Sequence, residues 1–297
     1  MTYNLLTVDA IDPAAMAAAL AACLHVMLGD VEVADPDGDP DVRNWDAPVS
    51  CDHTSIQGDL AWSLNIYAQR TVPGQPLEPD LAVRFAKATG TTVLCPASEA
   101  PPSAYWAATP QGLLTRARLE LSDDESPVCT VTAVEAPVPQ LPHAEMTHFE
   151  EIVREQRPPT PIADAFMASL KTSRESDSDL WSEQGSLVVW ERVVVQLESG
   201  WAPSGWYPAD LYRERLVARD ALADVLHRLP RDVAMLLNEA LERLDRRFVA
   251  ATTEDVSGDL RRQLSGTPTS EQVPTGWWWH RRPDPVPWET GLTPEKH

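Results

Sequence analysis

Residues 58–69 read GDLAWSLNIYAQ, and their alternation is clean: Leu60, Trp62, Leu64 and Ile66 fall on one face, Ser63, Asn65, Tyr67 and Gln69 on the other. A period of two with apolar residues on one side marks a strand that buries one face and leaves the other wet. A one-sided sheet follows, and the flanking segments supply its partners and its cover. Upstream, residues 3–9 (YNLLTVD) read as a first strand. Asp12 and Pro13 then give an N-cap and a proline at the first helical position, opening an alanine-rich helix that runs to near Gly29. In it Met16, Leu20, Leu24 and Met27 recur every three or four residues and form one stripe. Residues 31–34 (VEVA) read as a short strand leading into an acidic loop.

Downstream, prolines in residues 73–79 lead to a second helix over 80–89, with Leu81, Phe85 and Ala88 on one face and Gly90 as the stop. Residues 91–95, 103–108, 112–121 and 128–135 read as further strands, turning at Pro110–Gly112 and at Ser122–Pro127. The order βαββαβ with added strands predicts an α+β fold, a ferredoxin-like antiparallel sheet with two helices on one face. The other face is then free for a partner or a second domain.

The stretch APVPQLP at 136–142 ends this first domain, 1–142, because its prolines stop either periodic structure. Residues 143–179 read as a proline-rich linker with short helices, one over 145–156, broken at PPTP (158–161) and closing on the polar, mobile loop KTSRESDSD (171–179). Residues 180–266 read as a mainly helical domain. Its first helix, 180–198, carries Trp181, Leu187, Val188, Trp190, Val194 and Leu197, although the valine-rich middle also suits a strand. Pro208 opens the next, to about Leu229, with Leu211, Leu216, Leu222, Val225 and Leu226 inward. Pro230 opens a third, striped by Val233, Leu236, Leu237, Ala240, Leu241, Leu244 and Phe248, and the Leu-Pro junction predicts an antiparallel hairpin of the two. Residues 267–297 form a Trp/Pro-rich tail whose Trp277, Trp278, Trp279 and Trp288 either cover the helical domain or serve as an exposed contact.

The formal net charge is −21, with 19 acidic against 6 basic residues over 1–142 and 26 against 18 over the rest. Such a field repels nucleic-acid phosphates and anionic membranes, which points to a basic partner. No apolar run approaches the roughly 20 residues that cross a bilayer, and MTYNLLTVDA lacks the charged flank and apolar core of a signal peptide, so a cytoplasmic protein is expected. Cys23, Cys51, Cys95 and Cys129 are far apart and sit beside apolar stretches, as buried free thiols do. There is no glycine-rich phosphate loop, no G-x-S-x-G elbow and no H-E-x-x-H. No catalytic residue, cofactor or metal is therefore assigned, and binding rather than turnover is expected.

The densest acidic stretch is DPDGDPDVRNWD, with Asp35, Asp37, Asp39, Asp41 and Asp46. It reads as a calcium loop, a solvated connection, or an acidic contact toward a basic partner; Pro40 stands where an EF-hand needs glycine. Asp35, Asp37, Asp39 and Asp41 are the candidates for steering such a partner. Trp45, Trp206 and Tyr207, the last two in the proline-framed GWAPSGWYP, are the candidates for anchoring it.

The alanine-, aspartate- and proline-rich usage is typical of a high-GC actinobacterium. The succession of GDLAWSLNIYAQ, LAVRFAKATGTTVLCP and the pair around AYWAATPQGLLTRARLE resembles cytoplasmic immunity proteins of bacterial polymorphic toxin systems, over roughly residues 1–165 and by layout alone. The resemblance implies a noncatalytic protein that occludes a basic cognate toxin or effector. The rival readings are a structural adaptor docking through the tryptophan tail and an enzyme with an unrecognised site.

Overall fold

The computed structural model of the chain describes residues 1–97, 101–123, 127–173, 180–265 and 276–289. They divide into two compact units, Met1–Ile152 and Val153 onward. The first unit is α+β and the second is helical.

In chain order the first unit holds β1 (Thr2–Thr7), α1 (Pro13–Leu24), β2 (Val31–Ala34), β3 (Val49–Ser55), β4 (Gln57–Gly58), β5 (Trp62–Ala68), α2 (Glu78–Thr89), β6 (Val93–Pro96), β7 (Ala104–Ala108), β8 (Leu114–Leu121), β9 (Val128–Val134) and β10 (Glu145–Met146). They make one mixed ten-stranded sheet in the order β10-β9-β8-β7-β6-β1-β5-β3-β2, with β4 paired to β9. The pairs β2–β3, β4–β9 and β9–β10 are parallel and the rest antiparallel.

The Asp12–Pro13 start is as the sequence predicts: the Asp12 carboxylate accepts the Ala14 N–H at 2.9 Å. The helix, however, stops at Leu24, because His25 takes the left-handed conformation (φ 57°) and supplies the cap expected of Gly29. Met27 is consequently exposed, while Met16, Leu20 and Leu24 are buried as a stripe. In α2 the buried face is Leu81, Ala82, Phe85 and Ala86, with Ala88 outside it, and Gly90 ends the helix at φ 75°. Both helices pack on the side of the sheet carrying Tyr3, Leu5, Val49, Cys51, Leu64 and Ile66.

Two features correct the expected sheet. Residues 49–55, read as part of the acidic loop, form β3, which pairs along its whole length with β5. The strand expected over 58–69 begins at Trp62, and Gln57–Gly58 cross instead to β9. Glycine is required there: Gly58 has φ 108°, and a Cβ would lie 2.1 Å from the Cys129 carbonyl oxygen. The sheet is thus larger than the sequence reading gave it. Residues 143–152 also belong to this unit, since Glu145–Met146 pair with β9 where a helix over 145–156 is expected. Only Glu150–Glu155, the short α3, is helical in that span. Part of the turn expected at Ser122–Pro127, at 124–126, lies outside the described residues.

The second unit holds α4 (Pro161–Ser173), α5 (Leu180–Glu198), α6 (Ala209–Leu226), α7 (Arg231–Ala250), β11 (Thr253–Glu254), α8 (Asp259–Ser265) and β12 (Arg281–Arg282), the last pairing with β11. Of the polar stretch 171–179 expected to be a mobile loop, 171–173 instead close α4, and 174–179 lie outside the described residues, as do 267–275 and 290–297 of the tail. Helix prevails over strand in 180–198, because Leu187, Trp190, Val193, Val194 and Leu197 then fill one buried face at helical spacing. That face takes most of the packing expected of an α6–α7 hairpin, and the direct α6–α7 contact is small. The α6 helix packs chiefly on α5, and α7 packs on α4 and α5.

Several polar groups buried in this unit are matched by partners far away in sequence. The Glu191 carboxylate on α5 accepts the N–H groups of Ile162 (2.9 Å) and Ala163 (2.7 Å), capping the first turn of α4. Arg219 on α6 makes two hydrogen bonds to the Asp245 carboxylate on α7, which also accepts Trp190 Nε1–H. The Arg219 guanidinium lies 4.2 Å from the Trp278 ring centre. Trp278 and Trp279 both donate their indole N–H to Asp220, at 2.9 and 2.9–3.1 Å. Both rings are buried, so this part of the tail covers the helices. No helix among the described residues is long and apolar enough to cross a membrane.

Candidate partner-binding face

The register of the sheet sets the composition of its second face. Residues opposite one another share a face, so the antiparallel pairs Thr2↔Tyr67, Asn4↔Asn65, Ser50↔Tyr67 and Asp52↔Asn65 place these side chains together, away from α1 and α2. The parallel pairing adds Glu32 beside Ser50. At the other end of the sheet this same side is covered: Leu6, Leu60, Leu94, Ala107, Leu119, Val131, Val138 and Leu141 form a second core. That cover is tied down by Asp9, which accepts from Thr91 Oγ1 and Gln140 Nε2, and by Asp59, 2.9 Å from His143 Nε2. Across β1, β5, β3 and β2 the face is open. Thr2, Asn4, Asn65 and Tyr67 are exposed, with Tyr67 50% accessible.

Arg43 ties the acidic loop 35–46 to this face, its Nη2 donating to Asp52 Oδ1. The loop's own geometry is local. The Asp35 carboxylate accepts the Asp37 N–H, and the Asp39 carboxylate accepts the Asp41 N–H, each at 2.9 Å, a side-chain turn that leaves one carboxylate oxygen outward. Trp45 donates its indole N–H to the Pro40 carbonyl at 3.3 Å, and the Arg43 guanidinium covers one face of its ring. The ring is still 68% exposed.

The candidate residues therefore fall into separate groups. Asp35, Asp37, Asp39, Asp41 and Trp45 share one exposed loop of the first unit. Trp206 and Tyr207 belong to the second unit, where Tyr207 is a core residue whose ring lies tilted against Trp201 with centres 4.6 Å apart, its hydroxyl accepting from Arg215 Nε. Burial raises the Tyr207 phenol above its ordinary value. Tyr207 is thus a poor surface anchor, and Trp206 is only half-buried beside the same core. Sequence reading missed Asn4, Asp52 and Arg43 as parts of the face, although the polar side of residues 63–69 already pointed to Asn65 and Tyr67.

The electrostatics of the first unit are one-sided. Residues 1–152 contain 22 acidic and 6 basic residues, a net of −16. Of the six, Arg43 and Arg118 are paired with Asp52 and Glu151, and Arg116 is buried against Trp106. Glu135, buried nearby, has its carboxyl raised first by desolvation, with Arg116 opposing. All four cysteines are free and buried. Among the described residues no group of three or more His, Cys, Asp or Glu is arranged to hold a metal ion. Comparison with known proteins finds no matching family model, no matching curated protein and no matching solved structure.

Proposed function

We propose that the protein is a noncatalytic acidic binder, an immunity protein that occludes a basic cognate toxin or effector through the open sheet face and the 35–46 loop. The observation that carries this reading is the exposed Trp45, held in place by Arg43 and Pro40 on the loop that also exposes Asp35, Asp37, Asp39 and Asp41, in a unit of net charge −16. An aromatic anchor with surrounding charge of one sign is the composition of a docking surface for a partner of the opposite sign. Complementary charge speeds the encounter, and the buried aromatic slows its reversal.

The strand order β6-β1-β5-β3, with α1 and α2 on one side, supports the ferredoxin-like layout for this half of the sheet. The adaptor reading loses support from Trp278 and Trp279, whose indoles are spent on Asp220 inside the second unit. The test is capture of the partner from the native host on the purified chain, followed by assay of the recovered protein's toxicity with and without it. A basic protein whose toxicity is neutralised at one-to-one stoichiometry supports the reading, and multiple turnover of a metabolite by the chain contradicts it.

A further inference from the structure

The second unit carries an open hollow of about 380 Å³ lined by Glu254, Asp255, Val256, Trp277, His280 and Arg281. It forms where β11 and β12 pair, Glu254 opposite Arg281, and where the Asp255 N–H donates to the His280 carbonyl at 2.8 Å. Asp255 is only 6% exposed, and its two oxygens differ. Oδ2 accepts the Arg261 N–H at 3.1 Å, whereas Oδ1 is the one carboxylate oxygen among the described residues that is buried with no hydrogen-bond partner. A buried acceptor left unmet is destabilising, so a ligand that brings a donor recovers that cost.

The neighbouring cations do not meet the need. Arg281 directs Nε to Thr252 Oγ1 and Nη2 to the carbonyls of Val249 and Thr252. Arg261 sends Nη1 toward His280 Nε2 at 3.4 Å. Meanwhile Glu254 is exposed and has no ion pair among the described residues, and Trp277, backed by Phe248 and Trp278, leaves 40% of its surface accessible. An aromatic wall, one exposed carboxylate and one unmet buried acceptor are together the requirements of a flat cation with several N–H donors.

We propose that this hollow receives a guanidinium group, an arginine side chain presented by a polypeptide. The planar group stacks on Trp277, pairs with Glu254 and donates to Asp255 Oδ1. A lysine ammonium, compact and strongly hydrated, matches the indole wall less well. The site lies in a different unit from the sheet face and stands or falls independently of it.

The test is titration of the full-length chain with three capped tripeptides, acetyl-Gly-Arg-Gly-amide and its lysine and citrulline counterparts, read by NMR at the Trp277 indole N–H. The arginine peptide is expected to give a saturable shift, the citrulline peptide to bind at least about tenfold more weakly, and Glu254→Gln and Trp277→Leu each to weaken arginine binding about fivefold. Glu254 is exposed, so its variant keeps the test valid even if the Trp277 change perturbs folding. A Trp277 signal that does not move, equal binding of the citrulline or lysine peptide, or full binding by Glu254→Gln overturns the assignment. Asp255→Asn is the poorer probe because Asp255 also holds the first turn of α8.

Discussion

The Arg43 guanidinium carbon stands 4.4 Å from the centre of the Trp45 ring while its Nη2 binds Asp52 on β3. One side chain therefore links an exposed indole to the open sheet. Trp45→Ala removes little from the folded state, since the ring is mostly solvated, but it removes the anchor of the proposed interface. Expected is a change in unfolding free energy within about 0.5 kcal/mol and a dissociation rate from the captured partner raised about tenfold or more. Urea unfolding and surface-based kinetics read the two quantities. An unchanged dissociation rate removes Trp45 from the interface.

In the second unit Arg219 and Asp245 form a pair with side chains 8% and 18% exposed. Asp245→Ala leaves the guanidinium buried and short of its acceptor, a loss of about 3 kcal/mol. Denaturant unfolding measures it. A loss below about 1 kcal/mol means that the pair is solvated in practice.

Glu198 accepts two hydrogen bonds from Arg247, at 2.8 and 2.6 Å, and these lower its carboxyl below the ordinary 4.5. The unfolded chain then binds this proton first as pH falls. The pair's contribution is fully present above about 4.5 and disappears as pH drops through the lowered folded value. Both side chains are a third or more exposed, so the contribution at neutral pH is under about 1 kcal/mol. The stability gap between the natural chain and Glu198→Gln, followed by urea unfolding across pH, should therefore close on the acid side. A gap that widens on acidification has the wrong sign.

Burial pushes the Cys23 thiol up to about 11 and those of Cys51 and Cys95 to about 12. At neutral pH the native chain should react with an aromatic disulfide reagent far more slowly than the urea-unfolded chain, in which all four thiols become available. Rapid native labelling of Cys51 or Cys95 contradicts their placement.

Much of this was legible locally. The Asp12–Pro13 start, the Gly90 stop and the polar-versus-apolar sides of residues 62–68 each depend on a few neighbouring residues, and the structure has them as read. What sequence hid is non-local. The segment VSCDHTS is short and mixed in polarity, and it becomes a strand because β5 offers it seven rungs of pairing. Asp220 meets Trp278 and Trp279 from 58 and 59 residues away, so no spacing rule could show that the tail covers the helices. The proline-framed loop of Tyr207 suggests a surface anchor, yet the ring packs on Trp201, which also meets Tyr212, within the core. In the candidate face, the exposed aspartates and Trp45 were visible in the sequence; Asp52 and Asn4 joined only once register was known.

The most direct measurement is the association rate of the chain with its captured basic partner as ionic strength rises, for the natural sequence and for Asp37→Asn/Asp39→Asn. Steering by the 35–46 loop predicts a rate that falls steeply with salt, and a double variant that is several-fold slower at low salt with a shallower dependence. Rates that ignore salt, or a variant whose curve overlies that of the natural chain, would contradict the assignment of this loop and the sheet face beside it.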